Sequence, residues 1–378
     1  MRVALLAVLA CLLGAAPAHA GVELGVQDDP LIVRLPTAFA GFGADRLLPP
    51  TRVDAALDSL GVDTVRMNVV WAQVAGDRAG DPLRLELYDD AIERQLAAGR
   101  HVQMTLSGPA PKWATGNHRV GAYKPDARRY GAFAGAVARH FRGRVARYAI
   151  WNEPNWWNLL RPRKRNARLY RKLYLRGYAA IKRADRAAKV LIGETSPLGR
   201  PTAATPPLRF LRRLTCSDRE WRAARRCPKL RADGYAHHPY TLQWAPEFPG
   251  RQADDVTMGS LRRLSRALDA LARRGALATP SRRSLPLYLT EWGYHARSKR
   301  VREPLRSRYV RRGLQLAARL RRVRQVVWYQ LAGPPRVTHA HWDSGLLDAR
   351  GRPRPVFRAV RGWSRTRATR PRPPLALP

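Results

Sequence analysis

Along most of the chain, short apolar runs alternate with longer segments in which apolar residues recur every three or four positions. The runs at 22–28, 64–70, 102–107, 148–152, 190–194, 234–238, 287–291 and 326–331 predict strands, being short, apolar or β-branched and bounded by turn residues. The helical period predicts helices at 52–60, 85–98, 127–140, 166–187, 260–274, 307–322 and 355–363. Such alternation builds a parallel sheet wrapped by helices. Eight strands in about 350 residues predict a single-domain (β/α)8 TIM barrel, whereas a doubly wound sheet usually has fewer. Two stretches, 199–230 and 241–255, read as enlarged loops. No nucleotide-phosphate motif follows any strand, and no repeat of solenoid period is present.

The ends of the chain depart from this pattern. Arg2 precedes an apolar run, 3–16, too short to span a bilayer, and Ala18-His19-Ala20 has the small-x-small form of a signal-peptidase site. We therefore expect a signal peptide over 1–20, the barrel over 21–365 and a disordered basic, proline-rich tail over 366–378. A lipoprotein signal at Cys11 is the alternative, with a very short hydrophobic stretch before it. No later stretch approaches the roughly 18 apolar residues of a transmembrane helix, so a secreted protein without a membrane anchor after signal cleavage is expected. In an oxidising compartment Cys216 and Cys227 should form a disulfide; two free thiols are the alternative, and no metal-ligand spacing accompanies them.

Composition adds a core-forming 45% of hydrophobic residues and a formal charge of +42. Only eight of the 70 basic residues are Lys, so 62 are Arg. Such a charge attracts polyanions and the attraction weakens with salt, yet Arg is spread over every segment, as a general arginine bias would also produce. Specific nucleic-acid binding is not expected, and an anionic glycan stays open as a partner.

In a TIM barrel the chemistry sits at the C-terminal ends of the strands, so polar residues closing apolar strands draw attention first. The fourth strand reads YAIWNEPNWW and ends at Glu153; the seventh reads LYLTEWGY and ends at Glu291. Carboxylates bracketed by aromatics are costly unless paired or used. Two of them across one mouth suit glycoside hydrolysis: retention if the carboxyl groups lie about 5 to 5.5 Å apart, inversion if a wider gap admits water. For either Glu alone, a strand-end salt bridge to one of the many Arg is the competing reading.

IWNEPN with a later TEW resembles clan A of the glycoside hydrolases, retaining (β/α)8 enzymes, and WNEPN followed closely by Trp looks most like family 39, with the family 5 cellulases as neighbour. The resemblance covers the whole mature barrel and implies Glu153 as acid/base and Glu291 as nucleophile. It also implies that Arg66, in TVRMNVVW, orients the nucleophile, and that in YAHHPY Tyr240 contacts the nucleophile while His238 orders the acid/base side. Asn152 is expected to bond the sugar 2-hydroxyl, Trp328 to be the stacking platform, and Trp113 and Trp156 to extend it. Trp157, Trp221, Trp244 and Trp292 are further stacking candidates, which favours a β-linked oligo- or polysaccharide. By strand alternation His237 could face away from the mouth. His237 and His238, with His339, His341 and Asp343, raise a metal site as a lesser alternative, but their spacing fits no ligand motif. The chemistry implied needs no cofactor. Two departures stand out: Ser107 and Gly108 end the third strand where family 5 members have a substrate-contacting His, and the seventh strand reads TEWGY instead of TEWN. A noncatalytic carbohydrate- or polyanion-binding barrel is the rival reading.

Overall fold

The eight apolar runs lie side by side, all parallel, and close on themselves. In the computed structural model, which describes residues 21–34, 48–334 and 342–368, they are β1 (Glu23–Gln27), β2 (Thr64–Val70), β3 (His101–Ser107), β4 (Arg147–Ile150), β5 (Lys189–Thr195), β6 (Gly234–His237), β7 (Leu287–Trp292) and β8 (Val323–Tyr329). Their order around the barrel follows the chain, and β1 pairs with β8 from Glu23↔Gln325 to Gln27↔Tyr329. The expected (β/α)8 barrel is therefore the fold. Strands buried on both faces are what a parallel sheet covered by helices requires, and most strand residues here are buried.

Each strand is followed by a helix: α1 (Pro50–Leu60), α2 (Asp89–Ala97), α3 (Ala127–His140), α4 (Asn166–Ala184), α5 (Pro207–Thr215), α6 (Leu261–Arg273), α7 (Leu305–Ala318) and α8 (Pro355–Ala368). The local signals are ordinary ones. Asp126 caps α3 by accepting from the Arg129 N–H at 2.8 Å, and Gly61 ends α1 at φ 63°, where a Cβ would be strained.

Two expectations need correction. The stretch 199–230 is not a plain loop: it contains α5, whose Leu208, Phe210, Leu211 and Leu214 are buried. Only nine residues long and opened by two prolines, it offers little periodicity to read. The last helix runs on to Ala368 instead of stopping at 363. Residues 1–20, His339, His341 and 369–378 lie outside the described residues.

Cys216, just after α5, is disulfide-bonded to Cys227. Two short strands outside the barrel, Leu230–Arg231 and Leu277–Ala278, also pair in parallel. At the barrel's N-terminal end Arg147 holds both Glu23 oxygens, at 2.6 and 2.7 Å, and Thr64 donates to Glu23 at 2.8 Å. At the seam, the buried Asp28 carboxylate accepts the backbone N–H groups of Leu331 and Ala332, each at 3.1 Å, tying the end of β1 to the end of β8. Among the described residues, no helix is long and apolar enough to cross a membrane.

Candidate active site

The C-terminal ends of β4, β5, β6 and β7, with Arg66 from within β2, converge on one charged cluster. Arg66, fully buried on β2, is its hub. Its Nη1 lies 3.2 Å from Glu291 Oε2, its Nη2 donates to Glu194 Oε2 at 2.7 Å and to Asn152 Oδ1 at 3.0 Å, and its Nε donates to Thr105 at 3.0 Å. Gln27 takes a further bond. A planar guanidinium with five donors can hold so many acceptors in fixed relative positions. Asn152 thereby has its amide oxygen committed and its N–H groups left to donate.

His238 is the second hub. Its Nδ1 is 3.0 Å from Glu153 Oε1 and its Nε2 is 2.9 Å from Glu194 Oε2, so both ring nitrogens face carboxylate oxygens and both donate only if the ring is an imidazolium. Burial alone would lower its pKa, but the surrounding Glu291, Glu153 and Glu194 carboxylates raise it to about 10. For Glu194 burial raises the pKa and Arg66 and His238 outweigh it, leaving the group at about 2. Glu153 ends raised: burial pushes it up, and the neighbouring Glu291 and Glu194 charges add to that against the His238 hydrogen bond. A carboxyl raised in this way beside Glu194, which is lowered, is a shift in the direction that an acid/base role needs. Tyr240 donates to Glu291 Oε1 at 2.8 Å, and burial with the Glu291 charge holds its phenol well above its ordinary pKa. Glu153 and Glu291 keep 16% and 17% of their side-chain surface exposed, so both open to the mouth, while Glu194 has none.

The backbone delivers these side chains by local irregularities. Trp151, Glu153 and Glu194 adopt φ of 63°, 40° and 49°, the left-handed region uncommon for residues with a Cβ and found preferentially at functional sites. On β5 the register slips at Glu194, one residue more than on β6, and β7 likewise gains one residue against β8 between Leu289 and Trp292. Bulges of this kind re-aim a side chain. The one on β7 lets Glu291 turn to the mouth while Trp292 packs into the helix layer.

Of the expected residues, Glu153, Glu291, Arg66, Asn152, His238 and Tyr240 come together in this cluster. Trp328 does not. It is 1% exposed, meets Trp292 edge-on at 5.6 Å and donates its indole N–H to the Ser344 carbonyl at 3.0 Å, so it faces the helix layer and offers no open face for stacking. Strand alternation instead turns the next residue, the half-buried Tyr329, toward the mouth, where the Glu291 charge adds to burial in raising its phenol pKa. Trp292 is fully buried too: a Cβ on Gly313 of α7 would stand 2.3 Å from its ring. Trp113 packs edge-on against Trp71 at 5.8 Å on the outer wall, away from the cluster. Trp156 and Trp157 stay half-buried beside Glu153, under Arg200 at 5.6 Å and Arg161 at 4.5 Å. Trp221 packs against the core, and Trp244 is 38% exposed and stacked on Phe248.

His237 is buried between Thr195 Oγ1 and the Val256 carbonyl, each at 2.9 Å, and burial lowers its pKa to about 3, so it is a neutral structural imidazole. Asp343 is bound by Arg354 at 2.8 Å. Among the described residues no group of three His, Cys, Asp or Glu side chains is arranged to hold a metal.

Sequence reasoning missed Glu194, which closes β5 in IGETSP as Glu153 and Glu291 close their strands. The same rule, a charged residue ending an apolar strand, was enough to find it. Tyr329 required applying alternation to β8.

No family model matches the sequence, and no curated protein matches it significantly. Solved structures do match its fold. A family 39 glycoside hydrolase from the gut symbiont Bacteroides cellulosilyticus WH2 superposes with a TM-score of 0.64 at 17% identity, over 91% of this chain and 64% of that one. The chain thus spans less than two thirds of that protein. A GH39 β-xylosidase from Caulobacter crescentus gives 0.58 at 17% identity, over 92% and 71%, and a GH5-4 broad specificity endoglucanase from Clostridium acetobutylicum gives 0.57 at 14%, over 90% and 96%. At such identities the likeness establishes the shared barrel.

Proposed function

We propose that this chain is a retaining glycoside hydrolase of clan A, most like family 39, cleaving O-glycosidic bonds of a β-linked oligo- or polysaccharide. The observation that carries the reading is the pairing of Glu153 and Glu291 across one imidazole. Glu153 Oε1 and Glu291 Oε2 lie 3.0 and 4.0 Å from the same His238 nitrogen, so these oxygens are at most 7 Å apart. That bound admits the roughly 5–5.5 Å of a retaining pair and reaches only the lower end of the roughly 6.5–9.5 Å in which an inverting pair accommodates its water, which supports retention. The strand-end positions on β4 and β7 and the barrel shared with family 39 structures support the same assignment.

The reaction follows from the donors in place. Glu291, held by Arg66 and Tyr240, attacks the anomeric carbon. Glu153, one oxygen fixed by His238, gives the proton on its other oxygen to the departing glycosidic oxygen. Its raised pKa keeps that proton available. The resulting glycosyl ester on Glu291 is hydrolysed by a water that Glu153, now a carboxylate, deprotonates. Asn152 donates to the 2-hydroxyl, and Tyr329, with Trp156, supplies aromatic surface to the sugar. We further propose that the enzyme acts outside the cytoplasm, a reading the Cys216–Cys227 disulfide supports.

The test is a panel of activated 2-fluoro glycosides followed by intact-mass and peptide analysis. The expected result is one glycosyl adduct on Glu291 with at least one sugar. For Glu153→Gln, turnover of unactivated substrates should fall at least about a hundredfold, the usual worth of a general acid. No adduct with any sugar, together with inactivity on a broad polysaccharide panel, would overturn the retaining assignment.

A further inference from the structure

Outside the mouth, a groove without a role in the site lies on the barrel wall between α3 and α4. Its upper part, about 930 Å³, lies between the segment around Trp113 and the first turns of both helices, and its lower part, about 450 Å³, continues between the helices; Arg128 and Arg176 line both. Its lining residues on α4 run from Leu169 to Ala184, over which the helical rise makes the groove roughly 20 Å long.

Its charge is one-sided. Lys124, Arg128, Arg129, Lys172 and Arg176 stand around the upper part, and Arg139 and Arg183 around the lower. All seven are exposed, and among the described residues none pairs with a carboxylate. Elsewhere on the wall some arginines find partners, as Arg212 of α5 does with Asp254 and Arg312 of α7 with Glu247, and others, Arg262, Arg266 and Arg273 of α6 among them, do not; the groove differs in gathering seven such cations around one cleft. The groove's one carboxylate, Asp126, is occupied as the α3 cap. The chain from 127 to 184 holds no acidic residue except the buried-site Glu153. The surface is also not purely ionic: Trp113 and the 38% exposed Leu175 contribute apolar area above, and Ala132, Ala180 and Ala184 do so below.

One edge of the groove is joined to the segment that follows Glu153. Lys124 donates its backbone N–H to the Arg161 carbonyl at 2.8 Å, and the Arg161 guanidinium lies over Trp157 at 4.5 Å, on the Glu153 side. That is the side from which the leaving group departs.

We propose that the α3–α4 groove is a secondary binding site for an acidic polysaccharide, a uronate-bearing or sulfated chain that leaves the mouth over Trp157 and Arg161. Unpaired cations meet its anionic groups, and the apolar patches meet the faces of its rings. Those patches, and the path from a saccharide site, favour a glycan over nucleic acid. The inference rests on the glycosidase reading for its choice of polymer, but binding can be measured without turnover.

The experiment uses the full chain carrying Glu153→Gln, so that no polymer is consumed, and measures affinity for polygalacturonate, neutral xylan and duplex DNA by affinity electrophoresis at several salt concentrations. A groove variant, Arg128→Ser with Arg139→Ser and Arg176→Ser, is compared with an equal change of charge on α6, Arg262→Ser with Arg266→Ser and Arg273→Ser. All six side chains are exposed, and circular dichroism checks folding. The groove variant should bind polygalacturonate at least tenfold more weakly and with a shallower salt dependence, while the α6 variant changes less than threefold. In an otherwise native chain, the groove variant should hydrolyse small aryl glycosides like the parent. Equal weakening by both variants, undiminished binding by the groove variant, or DNA bound as tightly as polygalacturonate would overturn the proposal. Absence of aryl-glycoside hydrolysis with groove binding intact would instead count against the catalytic reading.

Discussion

Glu194 touches neither the mouth nor, by its burial, any substrate, yet it joins the two hubs of the site. It bonds Arg66, which orients Glu291, and His238, which holds Glu153. Replacing it with Gln removes one of three carboxylates that keep His238 charged, so the His238 pKa should fall from about 10 toward neutrality. A histidine-resolved NMR titration reads this directly; an unchanged titration would mean that Glu153 and Glu291 suffice. Activity should drop about tenfold to a hundredfold, as expected when catalytic groups lose their placement without being removed. The same groups shape stability against pH. His238 is raised above its ordinary 6.5, so its contribution is complete below that value and is lost as pH climbs through about 10. His237 is depressed from 6.5 to about 3, so its contribution is complete above 6.5 and is lost as pH falls toward 3. Melting temperature should therefore peak near pH 6.5 and fall on both sides, and His237→Asn should flatten the acid limb. A parent profile flat from pH 6.5 to 4 would contradict the burial argument.

Scaling up to elements, what periodicity could show and what it could not are cleanly divided. All eight strands and most helices were legible, because each strand is an apolar run between turn residues and each long helix has one apolar face. The residue types of the site were legible as well, since a charge closing an apolar strand is conspicuous. Hidden were the places where a strand carries one residue too many. The bulge on β7 turns Glu291 inward and Trp292 outward, and no pattern in LYLTEWGY announces it. Likewise VVWYQL presents Trp328 as the conspicuous aromatic, whereas the pleat assigns the mouth to Tyr329. The two residues should thus separate on mutation. Trp328→Ala removes a packed indole and should destabilise by about 3–5 kcal/mol. Tyr329→Ala should cost far less stability and raise KM for saccharides. Denaturant melts and initial rates on both variants check this; equal effects on KM would place both rings at the sugar.

For the whole molecule, the charge and the cross-link matter most. The +42 is only partly neutralised: carboxylates meet some arginines of the wall, and among the described residues the seven cations lining the α3–α4 groove have no carboxylate partner. The disulfide acts at the same scale, because it limits the unfolded chain as a whole. Its short loop, with the cysteines 11 residues apart, should contribute about 3 kcal/mol, so the Cys216→Ser and Cys227→Ser double variant should unfold at lower denaturant with the site intact. A midpoint equal to the parent's would show that the α5 region is held without it.

The seam between β1 and β8 also bears on how the barrel can close. Asp28 finds its backbone partners 303 and 304 residues further along, and β1 has its second neighbour only when Val323–Tyr329 is available. A sheet built without Val323–Tyr329 would have two unpaired edges, able to pair with other chains. Contacts this distant in sequence form slowly. Such a chain remains threadable for as long as its last strand is withheld, and becomes a closed body in one late step.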